Sequence, residues 1–308
     1  MLKKTNILAL VGGGESPKFS KDKITIYDSH QGLILSQIRF NSKITNVKIR
    51  TDSIIGFIED KIYILNINTL ETIDIIEIDQ ISYPIYGLSN SNNGLVLAFP
   101  QYNNKGKIQI GKYYITKKNF KKETFEFTAH ESNIIFIAMN DDGTLIVTGS
   151  EKGQFLRLFN ASNGDLIPEL KKGKKSKVSW IAFEFSSEIV AYVTDIGKVY
   201  IYNITEIKKV ININNDKNNN KIENNKKKEN INKIHEKNKI KIKPFLKCNI
   251  NKERNIIGFA QPKSIVILNW DGILYKASYD VKSEKKCFIY KTEYIKIDDN
   301  WFYIENFF

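Results

Sequence analysis

Two adjacent lysines followed by a glycine, Lys171-Lys172-Gly173, have the residue types and spacing best suited to binding an anion. They end a predicted hairpin, because Phe155 to Phe159 is apolar apart from Arg157 and Asn163-Gly164-Asp165 is a strong turn signal. Neighbouring residues of a strand point to opposite faces, so the two lysines are expected to diverge at one sheet edge. Each lysine could serve a separate anionic pocket, or both could belong to an ordinary solvated basic turn.

The composition allows a sizeable core and favours an anionic partner. The chain has 308 residues, of which 42% are hydrophobic and 12% aromatic, enough for one large domain or two small ones. Its formal net charge of +13 suits either a nucleic acid or an acidic membrane surface. Abundant asparagine and isoleucine accompany the lysines, so part of this charge reflects a general compositional bias.

The sequence contains few of the cysteines and histidines that commonly act in catalysis or bind metals. Only two cysteines occur, Cys248 and Cys287, and without a signal peptide they predict free thiols in a reducing cytosol. No apolar run reaches the roughly 18 to 20 residues of a spanning helix, so membrane contact is expected to be peripheral. The two cysteines and three histidines form no catalytic or metal-ligand set. We therefore predict no enzymatic activity, no metal and no cofactor.

Short predicted strands dominate the sequence, and helical periodicity is almost absent. Four strands lie between Lys43 and Ile78, and four more between Tyr86 and Phe125. Three further strands lie between Val178 and Ile204, and strands resume at Pro244. Groups of four strands with a period of roughly 40 residues are typical of propellers. The sequence thus predicts an all-β protein, a β-propeller of four-stranded blades.

One segment, Glu206 to Lys243, departs from this pattern. It holds 12 lysines against 5 acidic residues, with many asparagines and no aromatic residue. Such a composition cannot bury enough apolar surface to become ordered. We predict a single domain, 1–308, with a disordered basic loop at 206–243 inserted between the third and fourth strands of one blade.

Two separated blocks resemble a known family. The phrase LALVGGGESPKF followed by KITIYD resembles the second blade of the PROPPINs, the phosphoinositide-binding β-propellers of autophagy. The segment from AHES to LIPELKKG resembles their fifth blade. This resemblance implies a seven-bladed family of which six blades are visible here. A truncated gene model lacking the first blade is favoured over a six-bladed or open ring. In the family, the position of the basic loop is that of a membrane-inserting loop.

The resemblance also implies two sites for phosphoinositide headgroups. The first site contains His130, Thr148, Ser150, Gly153, Gln154, Arg157 and Lys171. The second contains Lys172, Gly173, Thr194, Lys198 and Tyr200. Several positions depart from the family: Gln154 and Lys198 replace threonines, Tyr200 replaces a histidine, and two lysines replace two arginines. Because lysine lacks the bidentate fork of arginine, Lys171 and Lys172 are expected to soften discrimination among headgroups.

The resemblance predicts an effector that binds phosphatidylinositol 3-phosphate or the 3,5-bisphosphate. It would act on endosomal, vacuolar or autophagosomal membranes and recruit protein partners of autophagy. A WD-repeat-like scaffold without lipid binding is the alternative. Nucleic acid is not an expected partner, because the basic segment lacks the interleaved aromatic residues and arginines on which bases stack.

Overall fold

The computed structural model describes most of the chain. The described residues are 5–79, 84–91, 94–117, 119–152, 155–171, 177–205, 241–244, 246–250, 255–260, 263–269, 271–279 and 288–294. Over these ranges the regular elements are β-strands, and the predicted all-β class is confirmed. The chain consists of two compact units that divide after Ile137.

The first unit contains three antiparallel sheets, and a further strand lies where the chain passes to the second unit. Their strands are β1 Ile7–Leu10, β2 Lys23–Asp28, β3 Leu33–Arg39, β4 Ile44–Ile49, β5 Ser53–Ile58, β6 Lys61–Asn66, β7 Thr72–Glu77, β8 Gly87–Leu88, β9 Leu95–Pro100, β10 Lys107–Ile115, β11 Phe120–Thr128 and β12 Ile134–Met139. The sheet orders are β1-β2-β3, β4-β5-β6-β7 and β11-β10-β9-β8. The two predicted groups of four strands are therefore confirmed.

The second unit contains the remaining sheets. Its strands are β13 Leu145–Ser150, β14 Phe155–Asn160, β15 Leu166–Lys171, β16 Val178–Phe183, β17 Ile189–Thr194, β18 Lys198–Asn203, β19 Lys241–Ile242, β20 Leu246–Asn249, β21 Asn255–Ala260, β22 Ser264–Asn269, β23 Ile273–Ser278 and β24 Phe288–Tyr294. The sheet orders are β12-β13-β14-β15-β19, β16-β17-β18-β20 and β21-β22-β23-β24. Strand β20 completes the sheet of β16 to β18, as the sequence predicts for a blade interrupted after its third strand.

The central strands are buried on both faces, which explains their continuous apolar sequences. Every residue of β5, β13 and β17 is buried. In the first unit, Ile55 and Phe57 pack with Leu97 and Phe99 from the next sheet. Because β-branched and aromatic side chains fit such a pleated, enclosed surface, the isoleucine-rich segments form strands rather than helices.

The hairpin from β14 to β15 forms as predicted, with its turn at Asn163-Gly164-Asp165. Gly164 has a φ of 75°, which favours glycine, and its N–H donates to the carbonyl of Asn160 at 2.9 Å. The Asn163 side chain accepts from the N–H of Asp165 at 3.1 Å. This turn fixes the position at which β15 returns beside β14.

The end of the predicted basic loop differs from expectation. Residues 206–240 lie outside the described residues, so the prediction of disorder there stays a prediction. Lys241–Ile242, however, form strand β19, which pairs in parallel with β15 through the register Glu169↔Lys241 and Leu170↔Ile242. The backbone of β15 offers hydrogen-bonding groups at this edge, and the chain returns along it.

Candidate anion-binding site

Three residues of the β13-β14-β15 sheet form a row across adjacent strands. Thr148 of β13 pairs with Arg157 of β14, and Arg157 pairs with Glu169 of β15. Residues directly opposite one another in antiparallel strands share one face of the sheet. The fold therefore places a hydroxyl, a guanidinium and a carboxylate side by side, next to the strand end that carries Lys171.

Arg157 forms an ion pair that sequence reasoning missed. Its Nε donates to Oε1 of Glu169 at 3.0 Å, and its Nη2 lies 3.0 Å from the same oxygen. The Glu169 side chain is only 3% exposed, whereas that of Arg157 is 23% exposed. A buried carboxylate needs a partner of opposite charge, and Arg157 provides it. The Arg157 side chain is thus partly exposed, while its guanidinium is paired with the buried carboxylate of Glu169.

The two hydroxyl residues predicted for the first site lie inside the sheet. Thr148 is fully buried and Ser150 is 4% exposed. Both belong to β13, which has a strand on either side in its sheet. Contact with a headgroup through these hydroxyls stays a prediction, and it requires the ligand to approach β13 closely.

His130, another described member of the first set, belongs to the first unit and is held by the backbone of Gly106. The carbonyl of Gly106 accepts the N–H groups of both Ala129 and His130, at 2.8 and 3.0 Å. Gly106 has a φ of 72°, and a Cβ at this position would lie 1.8 Å from the carbonyl oxygen of His130. Only glycine fits here, so Gly106 determines where His130 lies.

We expect Gly106→Ala to lower stability and to displace the His130 segment. The left-handed backbone alone costs a non-glycine residue about 1–3 kcal/mol, and the Cβ clash adds to it. Gly14→Ala is the matched control, because Gly14 has a φ of 73° but no atom within 4 Å of the place that a Cβ would occupy. Thermal unfolding of the two variants checks this. Equal melting temperatures would show that the close packing of Gly106 against the carbonyl of His130 does not affect stability.

Thr194 and Lys198, predicted for the second set, organise the turn between β17 and β18. Thr194 is fully buried, and its hydroxyl accepts the backbone N–H of Lys198 at 3.0 Å. Its carbonyl accepts the N–H of Gly197, whose φ is 75°. The Lys198 side chain is exposed at the start of β18. The structure therefore gives Thr194 a local structural role and leaves Lys198 available at the surface.

Tyr200 lies in a column of stacked aromatic rings. Its ring centroid is 4.8 Å from that of Tyr192, its cross-strand partner, and the residue is 7% exposed. Burial raises the pKa of Tyr200, so the phenol stays protonated at neutral pH and can donate a hydrogen bond. The Nζ of Lys247 lies 5.8 Å from the ring centroid, from the opposite position on β20. Lys247 is exposed and adds a cation that sequence reasoning missed.

Four predicted site residues, Gly153, Gln154, Lys172 and Gly173, lie outside the described residues. Lys171 is the last residue of β15 and pairs with Phe155. Its place at the end of the return strand agrees with the predicted hairpin. The expected divergence of the two lysines remains a prediction.

A groove of about 540 Å³ lies in the first unit and contains none of the predicted site residues. It is bounded by β6 and β7 on one side and by β9, β10 and β11 on the other. Two polar side chains of its wall are paired with Asp74, which accepts from the phenol of Tyr113 at 2.6 Å and from Nζ of Lys122 at 2.7 Å. Because Tyr113 and Lys122 are already paired within the chain, we assign this groove to packing between two sheets.

The described residues offer neither a metal site nor a membrane-spanning helix. Across these ranges, no group of three His, Cys, Asp or Glu side chains has a geometry suited to holding a metal ion. Over the same part of the chain, no helix combines the length and apolar character needed to cross a bilayer.

Comparisons with solved structures establish the fold class. The structure of Kluyveromyces lactis Hsv2 matches with a TM-score of 0.70 at 15% identity, covering 95% of this chain and 84% of that chain. A complex of KlAtg21 with the coiled coil of AgAtg16 matches with a TM-score of 0.69 at 19% identity, covering 94% and 82%. At this level of identity the likeness concerns the fold alone, and it confirms the predicted β-propeller. The number of blades in the complete protein stays a prediction.

Comparisons of sequence identify the family. The chain is 25% identical over 206 residues to autophagy-related protein 18e of Arabidopsis thaliana, covering 66% of this chain and 53% of that protein. The chain spans about half the length of the curated relatives it matches. A family model described as PROPPIN matches residues 16–221, which is 206 of the 308 residues. This match, together with the sheets and their strand order, shows that the chain belongs to the PROPPIN family.

Proposed function

We propose that the protein binds phosphatidylinositol 3-phosphate or phosphatidylinositol 3,5-bisphosphate through the site around β13 to β18. The observation that carries the proposal is the position of the family match. All twelve residues predicted for the two headgroup sites, from His130 to Tyr200, lie inside the matched range 16–221. The likeness to the family therefore covers all the residues that we propose bind the headgroups.

The chemistry of the site suits a phosphorylated headgroup. The Arg157 guanidinium is planar, and the N–H groups that do not bind Glu169 can pair with phosphate oxygens. Lys171 at the first site and Lys172 at the second add charges that attract phosphate as point cations. At the second site, the exposed Lys198 and the protonated phenol of Tyr200 supply a cation and a neutral donor. The first site thus has the stronger set of donors.

The proposed setting is the cytoplasmic face of endosomal, vacuolar or autophagosomal membranes. The net charge of +13 attracts anionic lipid surfaces. The basic segment 206–243, which lies almost entirely outside the described residues, is expected to contribute charge rather than deep insertion. It has no Trp, Phe or Leu to bury in a bilayer. The protein is proposed to act as a non-catalytic effector without a cofactor.

Protein partners of the autophagy machinery are a second part of the proposal. The matched KlAtg21 structure is a complex with the coiled coil of AgAtg16. That neighbour is a protein of this fold assembled with a second protein. We propose that the present chain likewise recruits proteins to the membrane that it binds.

Liposome co-sedimentation tests the lipid part directly. Vesicles of phosphatidylcholine are compared with vesicles that also contain phosphatidylinositol, its 3-phosphate, its 4-phosphate or its 3,5-bisphosphate, at physiological salt. We expect retention with the 3-phosphorylated lipids that a competing RNA does not reduce. Equal retention on all anionic vesicles would indicate general charge attraction. No retention on any vesicle would favour the scaffold that binds proteins alone.

The two sites are distinguished by Arg157→Ala and Tyr200→Phe. Losing a charge-assisted contact costs about 1.5–3 kcal/mol, whereas losing a neutral hydrogen bond costs about 1 kcal/mol. Arg157→Ala should therefore weaken binding of a soluble short-chain phosphatidylinositol 3-phosphate about 10- to 150-fold, and Tyr200→Phe about fivefold. Phenylalanine keeps the ring that stacks on Tyr192, so Tyr200→Phe isolates the hydroxyl. Equal losses of affinity, measured by calorimetry, would show that the two sites contribute similarly to binding.

A further inference from the structure

Glu169 is a buried acidic residue in a site proposed to bind anions. It is 2% exposed, and it lies on β15 two residues before Lys171. A negative charge at this position repels a phosphate, so its presence needs an explanation in the chemistry of the site. The ion pair with Arg157 described above provides that explanation.

The geometry of that ion pair restricts the guanidinium. Both Nε and Nη2 of Arg157 are 3.0 Å from one oxygen, Oε1 of Glu169. A guanidinium is planar, so binding along the edge that joins Nε to Nη2 fixes the orientation of the whole group. The edge formed by the outer hydrogens of the two terminal nitrogens is then directed away from Glu169. That edge can pair bidentately with two phosphate oxygens.

The backbone supports the same arrangement. Arg157 and Glu169 are direct partners in the β14–β15 ladder, so their side chains leave the sheet beside each other. The Arg157 side chain is 23% exposed and the Glu169 side chain 3% exposed, which places the carboxylate deeper than the guanidinium. The acid thus holds the arginine from the buried side of the sheet.

We propose that Glu169 is a positioning residue for headgroup recognition, which orients Arg157 before the ligand arrives. The proposal rests on the proposed function of the site and adds a residue to it. Arginine has many rotamers, and ordering it in advance removes an entropic cost from binding. The arrangement also has an electrostatic consequence. Glu169 cancels the net charge of Arg157, so Arg157 contributes directed hydrogen bonds, and the net attraction comes from the lysines.

Two substitutions of Glu169 separate its effect on the orientation of Arg157 from the effect of its charge. Glu169→Ala removes the buried acid that orients Arg157 and should weaken binding about tenfold, because the guanidinium is then less well ordered before the ligand arrives. Glu169→Gln keeps an oxygen that accepts from Arg157 but removes the charge that repels phosphate. It should therefore bind the ligand at least as tightly as wild type. A residue that acted only on the stability of the sheet would not produce this difference in sign.

A double-mutant cycle tests whether Glu169 acts through Arg157. The probe is soluble dibutanoyl phosphatidylinositol 3-phosphate, with affinities measured by calorimetry on Glu169→Ala, Glu169→Gln, Arg157→Ala and the Arg157→Ala/Glu169→Ala double variant. We expect the double variant to bind no more weakly than Arg157→Ala, since Glu169 has nothing to position once Arg157 is absent. Glu188→Ala, an exposed acid of the same unit, controls for the change in net charge. Melting curves confirm that each variant is folded at the temperature of the titration.

The outcomes separate this inference from the function on which it rests. Losses that add in the double variant, or a Glu169→Ala affinity equal to wild type, would overturn the positioning role and leave phosphoinositide binding intact. A Glu169→Gln loss as large as that of Glu169→Ala would also overturn it. Wild-type protein that does not bind the probe would overturn the proposed function, and the inference with it.

Discussion

Replacing Lys171 and Lys172 together by alanine is expected to abolish binding to vesicles that contain phosphatidylinositol 3-phosphate. Each lysine that contacts a phosphate contributes about 1.5–3 kcal/mol as a charge-assisted hydrogen bond. Losing both should weaken affinity by at least about a hundredfold. Residual retention in co-sedimentation should fall to the level seen with vesicles that lack the lipid.

The fold is expected to survive this double substitution. Substitutions at surface positions, where both lysines are predicted to lie, usually change stability by no more than about 0.5 kcal/mol each, so the melting temperature should stay close to wild type. The matched control is Lys43→Ala with Lys117→Ala, which removes the same charge from exposed positions of the first unit. Wild-type retention by the Lys171/Lys172 variant would show that the headgroup site is misassigned. Equal losses in both double variants would show that binding follows net charge alone.

Arg50→Ala is expected to produce the largest loss of stability in the first unit. Arg50 is 5% exposed, and its guanidinium donates to the carbonyl oxygens of Ser91 at 2.8 Å and Gly94 at 3.1 Å. It also donates to the carbonyl of Ser89, and its Nε pairs with Asp52 at 3.0 Å. One side chain thereby ties the end of β4 to the segment that joins β8 and β9.

Removing Arg50 takes away the guanidinium that pairs with Asp52 and donates to the carbonyl groups of Ser89, Ser91 and Gly94. Breaking a buried pair of this kind costs about 3–5 kcal/mol, which corresponds to a fall in melting temperature of roughly 10 °C. Arg39→Ala is the control, since Arg39 also pairs with an aspartate, Asp22, at 2.8 Å, but its side chain is 72% exposed. A surface pair contributes little, so Arg39→Ala should leave the melting temperature nearly unchanged. Similar melting temperatures for the two variants would contradict a structural role for Arg50.

Much of the fold follows from local sequence patterns. Apolar segments of about six residues, separated by glycine and asparagine turns, determine the strands, and their grouping in fours matches four of the sheets in the described residues. The turn at Asn163-Gly164-Asp165 forms because glycine accepts a positive φ there. Strand β20 was predictable as the partner of β18 because the basic segment interrupts a group of four strands.

The chemistry of the site depends on register, which local patterns do not determine. Phe159 pairs with Leu166 beside the turn, and a regular ladder from that pair would place Arg157 opposite Pro168. The structure contains an irregularity between Arg157 and Phe159 that shifts the pairing by one residue, to Glu169. Proline has no N–H to donate, and ladders are commonly interrupted at such a residue. A shift of one residue turns every following side chain to the other face, so it decides that Arg157 meets an acid.

The sequence by itself determined the strands, the family and the identity of the residues proposed to bind phosphate, because each of these is carried by short contiguous motifs. Tertiary structure alone decided which groups accompany them. Gly106 is distant in sequence from His130, yet its backbone holds that residue in place. Lys247 reaches Tyr200 only because β20 pairs with β18. These contacts join residues separated by 24 to 47 positions in the chain. They arise from sheet pairing and loop packing, which no single segment of the chain specifies.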